Sequence, residues 1–323
     1  MKYTHLRDLK VSRIGLGCMG MSHIYTGHKQ PEEDSIRTIH RAIELGVTYF
    51  DSAEIYGPFK NEELLNKALK GRRDEVVISS KFGMISHIGN GGLDSSAENI
   101  RTAIEGSLQR LGTDYIDLYY QHRVDKTIPI EDVIGTLSEL ITEGKIRHIG
   151  LSEAGQQTIR RANAVHPITA LQSEYSLWTR DGDDGTIDAL AELGIGFVPY
   201  SPLGRGMLTG KIRSRDQFDD DDWRLNNPRF LEEVFEKNLE ILSEVEAISE
   251  EIGATPAQVS LAWLLAKGED WVPIPGTIRI PHLEEDLLAV DLELTAEQVA
   301  KLDNVTQPLG DHHSPAQMKA FDR

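Results

Sequence analysis

Eight short apolar runs, each followed by a stretch with helical punctuation, limit the folds open to this chain more than any other feature. The runs cover residues 13–17, 47–51, 76–81, 116–122, 146–152, 169–173, 196–200 and 271–275, and β-branched residues are frequent in them. They are mostly apolar throughout rather than alternating, the pattern of strands covered on both faces in a parallel sheet. Parallel strands need crossover connections. The intervals supply them: 30 residues separate Asp51 from Lys81, and another 30 separate His122 from Ser152. One helix fits each interval, and eight such units make a closed (β/α)8 TIM barrel.

Local signals agree with this reading. Pro31 opens a helix that Gly46 stops after Leu45, and Asn61 is placed to cap a helix over 62–70 with Gly71 beyond its end. Ser95, Thr255 and Thr295 stand three residues before Glu98, Gln258 and Gln298, the capping-box spacing. Gly112, Gly144, Gly194 and Gly253 stand where helices should end. No repeat, low-complexity tract or Pro/Gly/Ser linker divides the chain, so residues 1–323 read as a single α/β barrel domain with two extra helices after the last strand. Long loops at the C-terminal mouth cover 82–93 and 203–227. In the second, the run Asp219-Asp220-Asp221-Asp222 reads as a solvated loop. The tail holding Asp311, His312 and His313 reads as a flexible end rather than a metal site, and no metal is expected.

Charge narrows the partners. With 34 basic and 52 acidic residues the formal net charge is −18, which argues against nucleic acid and anionic membranes. A phosphate-bearing ligand would need a local pocket working against that field. Cys18 is the only cysteine, so no intramolecular disulfide forms. No apolar stretch approaches the ~18 residues of a membrane span, and the first residues lack a signal-peptide core, so a cytoplasmic protein is expected.

One motif misleads. Gly15-Leu16-Gly17-Cys18-Met19-Gly20 matches G-x-G-x-x-G after an apolar run. A dinucleotide-binding fingerprint requires a helix N-terminus within the motif, so that free amides meet the pyrophosphate. No helical period appears before Pro31. The glycines read instead as allowing a loop to bend over the barrel mouth.

The C-terminal ends of the second, third and fourth runs carry Asp51, with Tyr56 just beyond it, then Lys81 and His122. In a closed barrel these ends lie side by side, so a carboxylate, an ammonium, a phenol and an imidazole converge into a proton relay. Asp51 would pair with Lys81, since an unpaired buried ammonium is costly. The Lys81 cation would favour the phenolate and bring Tyr56 down from about 10 toward neutrality. His122 would orient a carbonyl oxygen against Tyr56. Singly, each residue has an ordinary structural role; it is their joint position that points to chemistry.

Those residues sit in segments that resemble the aldo-keto reductase signature: Phe50-Asp51-Ser52-Ala53-Glu54-Ile55-Tyr56-Gly57, Ser79-Ser80-Lys81, Tyr119-Tyr120-Gln121-His122, Gly144-Lys145-Ile146-Arg147-His148-Ile149-Gly150-Leu151-Ser152, Pro199-Tyr200-Ser201-Pro202-Leu203-Gly204, Pro275-Gly276-Thr277 and Leu283-Glu284-Glu285-Asp286. The matches run in family order over nearly the whole chain and are most similar to the auxin-induced-like or pyridoxal-reductase-like branches of bacteria and plants. The resemblance implies that Asp51, Tyr56, Lys81 and His122 form a catalytic tetrad. It implies NADPH-dependent reduction of a small-molecule aldehyde or ketone, with Tyr56 as proton donor. Ser152 and Gln172 match positions that bind the nicotinamide carboxamide, and Tyr200 the aromatic that stacks on its ring. Ser201, Pro202, Leu203, Gly204, Arg205 and Gly206 match the loop after the pyrophosphate, with Lys211 a phosphate contact; Gly276, Thr277, Glu285 and Asp286 match the adenosine grip. Asp286 departs from the usual Asn, and His282 stands where many members carry an Arg facing the 2′-phosphate. Arg279 is placed to substitute, so NADPH is expected, with NADH also admitted.

Substrate choice falls to mouth residues, with Met19, Tyr25, Phe82, Met84, Arg123 and Trp223 as candidates by loop position. Arg123 reads either as an attractor for an anionic substrate or as a partner of Asp125. A rival reading is a cofactor-binding regulatory subunit with little turnover, similar to potassium-channel β subunits that retain the tetrad; the short stretch before residue 13 weighs against it. A metal-dependent barrel hydrolase lacks clustered ligands at the strand ends. Oligomeric state is not legible.

Overall fold

The chain opens with an antiparallel hairpin, β1 (Tyr3–Leu6) and β2 (Leu9–Ser12), which the pattern of apolar runs does not predict. The computed structural model describes residues 1–22, 30–84 and 92–322. Among these, β3 (Leu16–Gly17), β4 (Tyr49–Asp51), β5 (Val77–Phe82), β6 (Ile116–Gln121), β7 (Ile146–Ser152), β8 (Ala170–Glu174) and β9 (Gly196–Tyr200) form a parallel sheet whose order follows the chain. The eighth run completes it. Val272 and Ile274 donate their N–H groups to Phe197 and Pro199 of the β9 side, while Gly15 and Gly17 donate to the carbonyls of Pro273 and Pro275. The two prolines have no N–H to return toward β3, so this edge is joined by carbonyls alone. The result is the closed (β/α)8 barrel.

Both strand faces are buried, as their composition requires. Outer faces pack under the helices in one large apolar cluster, and inner faces form a second cluster with Tyr49, Leu118, Tyr120, Val198 and Val272. Leu6, Leu9 and Val11 of the hairpin join the inner cluster and plug the end opposite the mouth. The contact is close: a Cβ on Gly196 would stand 2.5 Å from Leu6 Cδ2. Glycines of the misleading motif work at the seam. A Cβ on Gly17 would stand 2.8 Å from the Ile274 carbonyl, so Gly15 and Gly17 allow strand closure rather than bending a loop over the mouth.

α1 (Glu32–Glu44) follows Pro31 and buries Ser35, Thr38, Ile39 and Ala42, one helical stripe. α2 (Lys60–Ala68) begins after Phe59, held at φ +67°, so Asn61 is not its cap. Asn61 instead lies inside the helix, where its amide donates to the Cys18 carbonyl (2.8 Å) and Ser22 Oγ (2.7 Å). α3 (Ala97–Leu111) is capped by Ser96 rather than Ser95; Ser95 N–H is taken by Asp125. α4 (Ile130–Thr142), α5 (Gln156–Val165) and α6 (Thr186–Leu193) complete the next crossovers. α7 (Glu232–Asn238), α8 (Glu240–Ile252) and α9 (Pro256–Lys267) precede the eighth run, and α10 (Ile280–Leu287) and α11 (Ala296–Asp303) follow it. Capping boxes form at Thr255 and Thr295 as their spacing predicts, and Gly112, Gly194 and Gly253 take left-handed C-caps.

Two loop expectations need correction. The stretch 203–227 contains 3-10 turns at Gly204–Thr209, Arg215–Gln217 and Trp223–Asn226. Asp219, Asp220 and Asp221 are exposed as expected, but Asp222 is buried, caps the Trp223 turn and pairs with Arg224 at 2.6 Å. The tail beyond α11 is not a loose end: it adds α12 (Pro315–Met318) and buries His312 and Phe321. Among the described residues no helix is long and apolar enough to cross a membrane.

Candidate active site

Strand register brings the expected four together. Asp51 pairs with Ser79 across β4 and β5, and Lys81 lies two residues farther along β5, so both side chains point into the barrel. His122 follows β6, its N–H donating to the Phe82 carbonyl. Tyr56 sits on the turn after β4.

Lys81 Nζ donates to Asp51 Oδ2 (2.6 Å), to the Ser52 carbonyl (2.7 Å) and to Tyr56 Oη (3.2 Å). Its three protons are thus all used. An ammonium only donates, so Tyr56 Oη accepts here and directs its own O–H away from Lys81. The Asp51 carboxylate is saturated on its other oxygen by Ser79 Oγ (2.7 Å) and Gln172 Nε2 (2.8 Å). The His122 ring meets Tyr56 edge to face at 5.9 Å between centroids. Side-chain exposure is 1% for Lys81 and 4% for Asp51.

In that dry setting burial pulls the Lys81 ammonium down, but Asp51 and Tyr56 outweigh it and hold the group above its ordinary value. Burial pushes the Tyr56 phenol up, and the nearby Lys81 cation offsets only part of this. Lowering of the phenol toward neutrality, expected from Lys81 alone, therefore does not occur. Tyr56 stays protonated at physiological pH, the state an acid needs.

A cavity of about 1100 Å³ runs from this cluster along the barrel mouth. Asp51, Tyr56 and His122 line its inner end, with Lys81 behind them; Ser152, Gln172, Tyr200, Ser201, Pro202, Leu203, Arg205 and Gly206 line its middle; Lys211, Gly276, Thr277, Arg279, His282, Glu285 and Asp286 line its outer end. Gly204 lies beneath the loop against Trp178 instead. Ser201 and Arg205 adopt left-handed φ values of +48° and +57°, backbone strain of the kind that collects at ligand sites. Of the mouth residues, Met19, Met84, Arg123 and Trp223 line the cavity. Phe82 does not: it is buried against Tyr119. Tyr25 lies outside the described residues.

Local charges differ from expectation. Arg205 pairs with Glu174, and Lys211 with Glu285 at 2.9 Å. Burial, then Lys211 and Arg279, hold His282 below its ordinary value, so it is neutral at pH 7. Arg279 is exposed and makes no ion pair among the described residues. Asp286 is buried, and burial followed by Glu285 pushes its carboxyl up to about 7.

Two features escape the sequence reading. Ser79 is one; its position two residues before Lys81 on a strand is the signal. The other is a clasp whose one sequence signal is the adjacent pair His312 and His313, since its other parts lie far apart. His312, 2% exposed, places Nε2 2.9 Å from Asp181 Oδ2 and Nδ1 3.2 Å from Glu174 Oε2. Glu174, His312 and His313 bring ligand atoms within 4.8 Å of one another, but Arg205 donates to Glu174, to the His312 carbonyl and to His313 Nε2 (3.1 Å), so a guanidinium stands where a metal cation would. Burial works to lower His312, yet the hydrogen bond to Asp181 and the facing Glu174 carboxylate raise it to about 9. A raised histidine stabilises fully below its unfolded value of about 6.5 and loses that contribution as pH rises through about 9. The His312→Gln variant should therefore lose on the order of 2–3 kcal/mol at pH 6 and little at pH 10. Urea denaturation of both proteins at the two pH values measures this; an equal loss at both would show that His312 is not held as a cation.

Comparisons with known proteins bear on the family of the chain. A family model described as the Aldo/keto reductase family matches residues 13–307. The chain is 44% identical over 307 residues to a probable aldo-keto reductase 1 of Glycine max, covering 94% of this chain and 88% of that protein. It resembles the crystal structure of a thermostable aldo-keto reductase in complex with the inhibitor epalrestat, with a TM-score of 0.78 and 30% identity over 95% of this chain and 100% of the other. A glycerol dehydrogenase from Gluconobacter oxydans matches with a TM-score of 0.83 and 28% identity over 92% of each. The chain belongs to the aldo/keto reductase family, oxidoreductases of carbonyl compounds that use a nicotinamide cofactor.

Proposed function

We propose that this protein reduces an aldehyde or ketone to the alcohol with NADPH, with Tyr56 as the proton donor. One observation carries the reading: Lys81 Nζ reaches Asp51 and Tyr56 together, at the inner end of a long cavity. The cavity suits a dinucleotide. Its volume of about 1100 Å³ is large for a ligand site. Gly276 forms part of its wall where a Cβ would stand 3.0 Å from the Gly17 carbonyl, and among the described residues the buried Tyr200 Oη has no hydrogen-bond partner.

When bound, a reduced nicotinamide would supply hydride to the carbonyl carbon. The chain's own residues do the rest. Ser152 and Gln172 would hold the carboxamide and Tyr200 would face the ring, while the loop from Ser201 through Gly206, with Lys211, would hold the phosphates. Gly276, Thr277, Glu285 and Asp286 would hold the adenosine end. Since Gln172 also donates to Asp51, the same amide links cofactor placement to the ion pair. His122 orients the carbonyl oxygen toward Tyr56. Tyr56 gives up its proton as negative charge develops there, and Lys81, already donating to Tyr56 Oη, stabilises the phenolate left behind.

Preference for NADPH rests on Arg279, whose guanidinium at the outer end has no acidic partner among the described residues. Steady-state oxidation of NADPH and NADH against aldehydes, ketones and quinones tests the whole reading. The wild type should turn over several carbonyls with NADPH favoured, and Arg279→Ala should raise the KM for NADPH by about 10-fold or more while moving that for NADH far less. Tight NADPH binding with negligible oxidation across the panel would instead favour a regulatory subunit.

A further inference from the structure

We propose that Arg123 is a specificity residue that selects carbonyl substrates carrying an oxyanion group, a carboxylate or a phosphate; this rests on the reductase reading above. Arg123 directly follows His122 and lines the cavity together with His122 and Tyr56. Its Nη1 donates to the His122 carbonyl (2.6 Å) and to Ser152 Oγ (3.2 Å), while its guanidinium lies 5.0 Å from the centroid of the Phe321 ring. One edge of the fork is therefore pinned to the cavity wall. Among the described residues Nε and Nη2 have no hydrogen-bond acceptor, and neither is sealed from solvent.

Arg13 and Arg229 are also half-buried or buried without an ion pair among the described residues. In them, however, Nη1 and Nη2 of Arg13 and Nε and Nη1 of Arg229 are spent on backbone carbonyls, whereas Arg123 donates through Nη1 alone. The neighbouring acid is not its partner. Asp125 Oδ1 accepts from Thr127 N–H (2.9 Å) and Thr127 Oγ1 (2.6 Å), and its Oδ2 accepts from Ser95 N–H (3.0 Å). The other cavity cations differ from Arg123. Arg205, Lys211 and Arg224 are neutralised by Glu174, Glu285 and Asp222, and Arg279 lies at the far end. Of the acids at the inner end, Asp51 is committed to Lys81, Ser79 and Gln172. Segments 23–29 and 85–91 contain no Asp or Glu that could pair with it. What remains beside the tetrad is a positive charge with a planar pair of donors, held in place and open to the cavity. A guanidinium edge of this kind matches the two oxygens of a carboxylate or phosphate. The negative field of the whole protein makes such a local cation necessary for any anionic substrate.

The test compares matched pairs in the NADPH assay: benzaldehyde with the 2-, 3- and 4-carboxybenzaldehydes, and glyceraldehyde with glyceraldehyde 3-phosphate. The readout is the ratio of kcat/KM for the charged member to that for the neutral one, so a loss common to both cancels. In the wild type at least one charged member should be favoured by about 10-fold or more, and the carboxylate and phosphate arms tell which oxyanion fits. Arg123→Met should lower that ratio by about 100-fold, with the change mostly in KM, and Arg123→Lys should restore part of it, since a point charge replaces the fork. A wild type that favours the neutral members, or a ratio that Arg123→Met leaves unchanged, would overturn the proposal. Absence of NADPH oxidation with every member would overturn the reductase reading itself, and the proposal with it.

Discussion

Replacing Tyr56 by phenylalanine should lower kcat for carbonyl reduction by about 10²–10⁴-fold, the usual contribution of a positioned acid, while the Kd for NADPH stays within about 2-fold. The substitution removes one oxygen from a ring that remains buried beside His122. It takes away the group that accepts from Lys81 and donates toward the substrate, and little else. Stability should fall by about 1 kcal/mol as Lys81 loses an acceptor. The wild-type pH profile carries a second expectation. Because burial holds the Tyr56 phenol above its ordinary value of 10, reduction should show no decline from loss of that proton below pH 10. Fluorescence titration with NADPH and steady-state rates measure both quantities. A variant keeping most of its rate would remove Tyr56 from the role of proton donor.

The second large effect comes from the ion pair beneath it. Lys81→Met leaves the Asp51 carboxylate buried without its cation, which should cost about 3–5 kcal/mol of stability. Asp51→Asn strands the ammonium in turn and should be destabilising as well. Combining the two removes both charges, so the double variant should be more stable than the sum of the single losses implies, by roughly 2 kcal/mol or more. Activity should behave differently. Each single variant and the double should lose kcat by about 10²-fold or more, because the cation beside Tyr56 is gone or misplaced. Strict additivity of the stability losses in chemical denaturation would show that the two groups do not act as a pair.

How much of this was legible in the sequence follows from where each signal lives. Strands covered on both faces leave continuous apolar runs, so the barrel was readable, including the run at 271–275 that joins its neighbours partly through proline carbonyls. Three of the four central residues stand at or just past strand ends, and parallel register then fixes their neighbours. The hairpin β1–β2 was missed because it is short and caps an end rather than joining the sheet. Asn61 resembled a helix cap because local chemistry favours it there; contacts to Cys18 and Ser22, brought in by the tertiary fold, take its amide instead. The tail resembled a flexible end because its anchors, Glu174, Asp181 and Arg205, lie more than a hundred residues away. Charge was least legible. A basic residue in a sequence does not show whether an acid will neutralise it: Arg205 and Lys211 are paired with Glu174 and Glu285, while Arg123 has no acidic partner among the described residues.

The central claim is that hydride reaches a carbonyl carbon beside the Asp51–Lys81–Tyr56–His122 cluster. NADPH carrying deuterium at both C4 positions of the nicotinamide, supplied with an aldehyde that the enzyme turns over, tests this in one mass spectrum. The alcohol should be heavier by one mass unit, with the deuterium on the former carbonyl carbon. An alcohol of unchanged mass would mean that the carbon takes its hydrogen from elsewhere, and the account would be wrong.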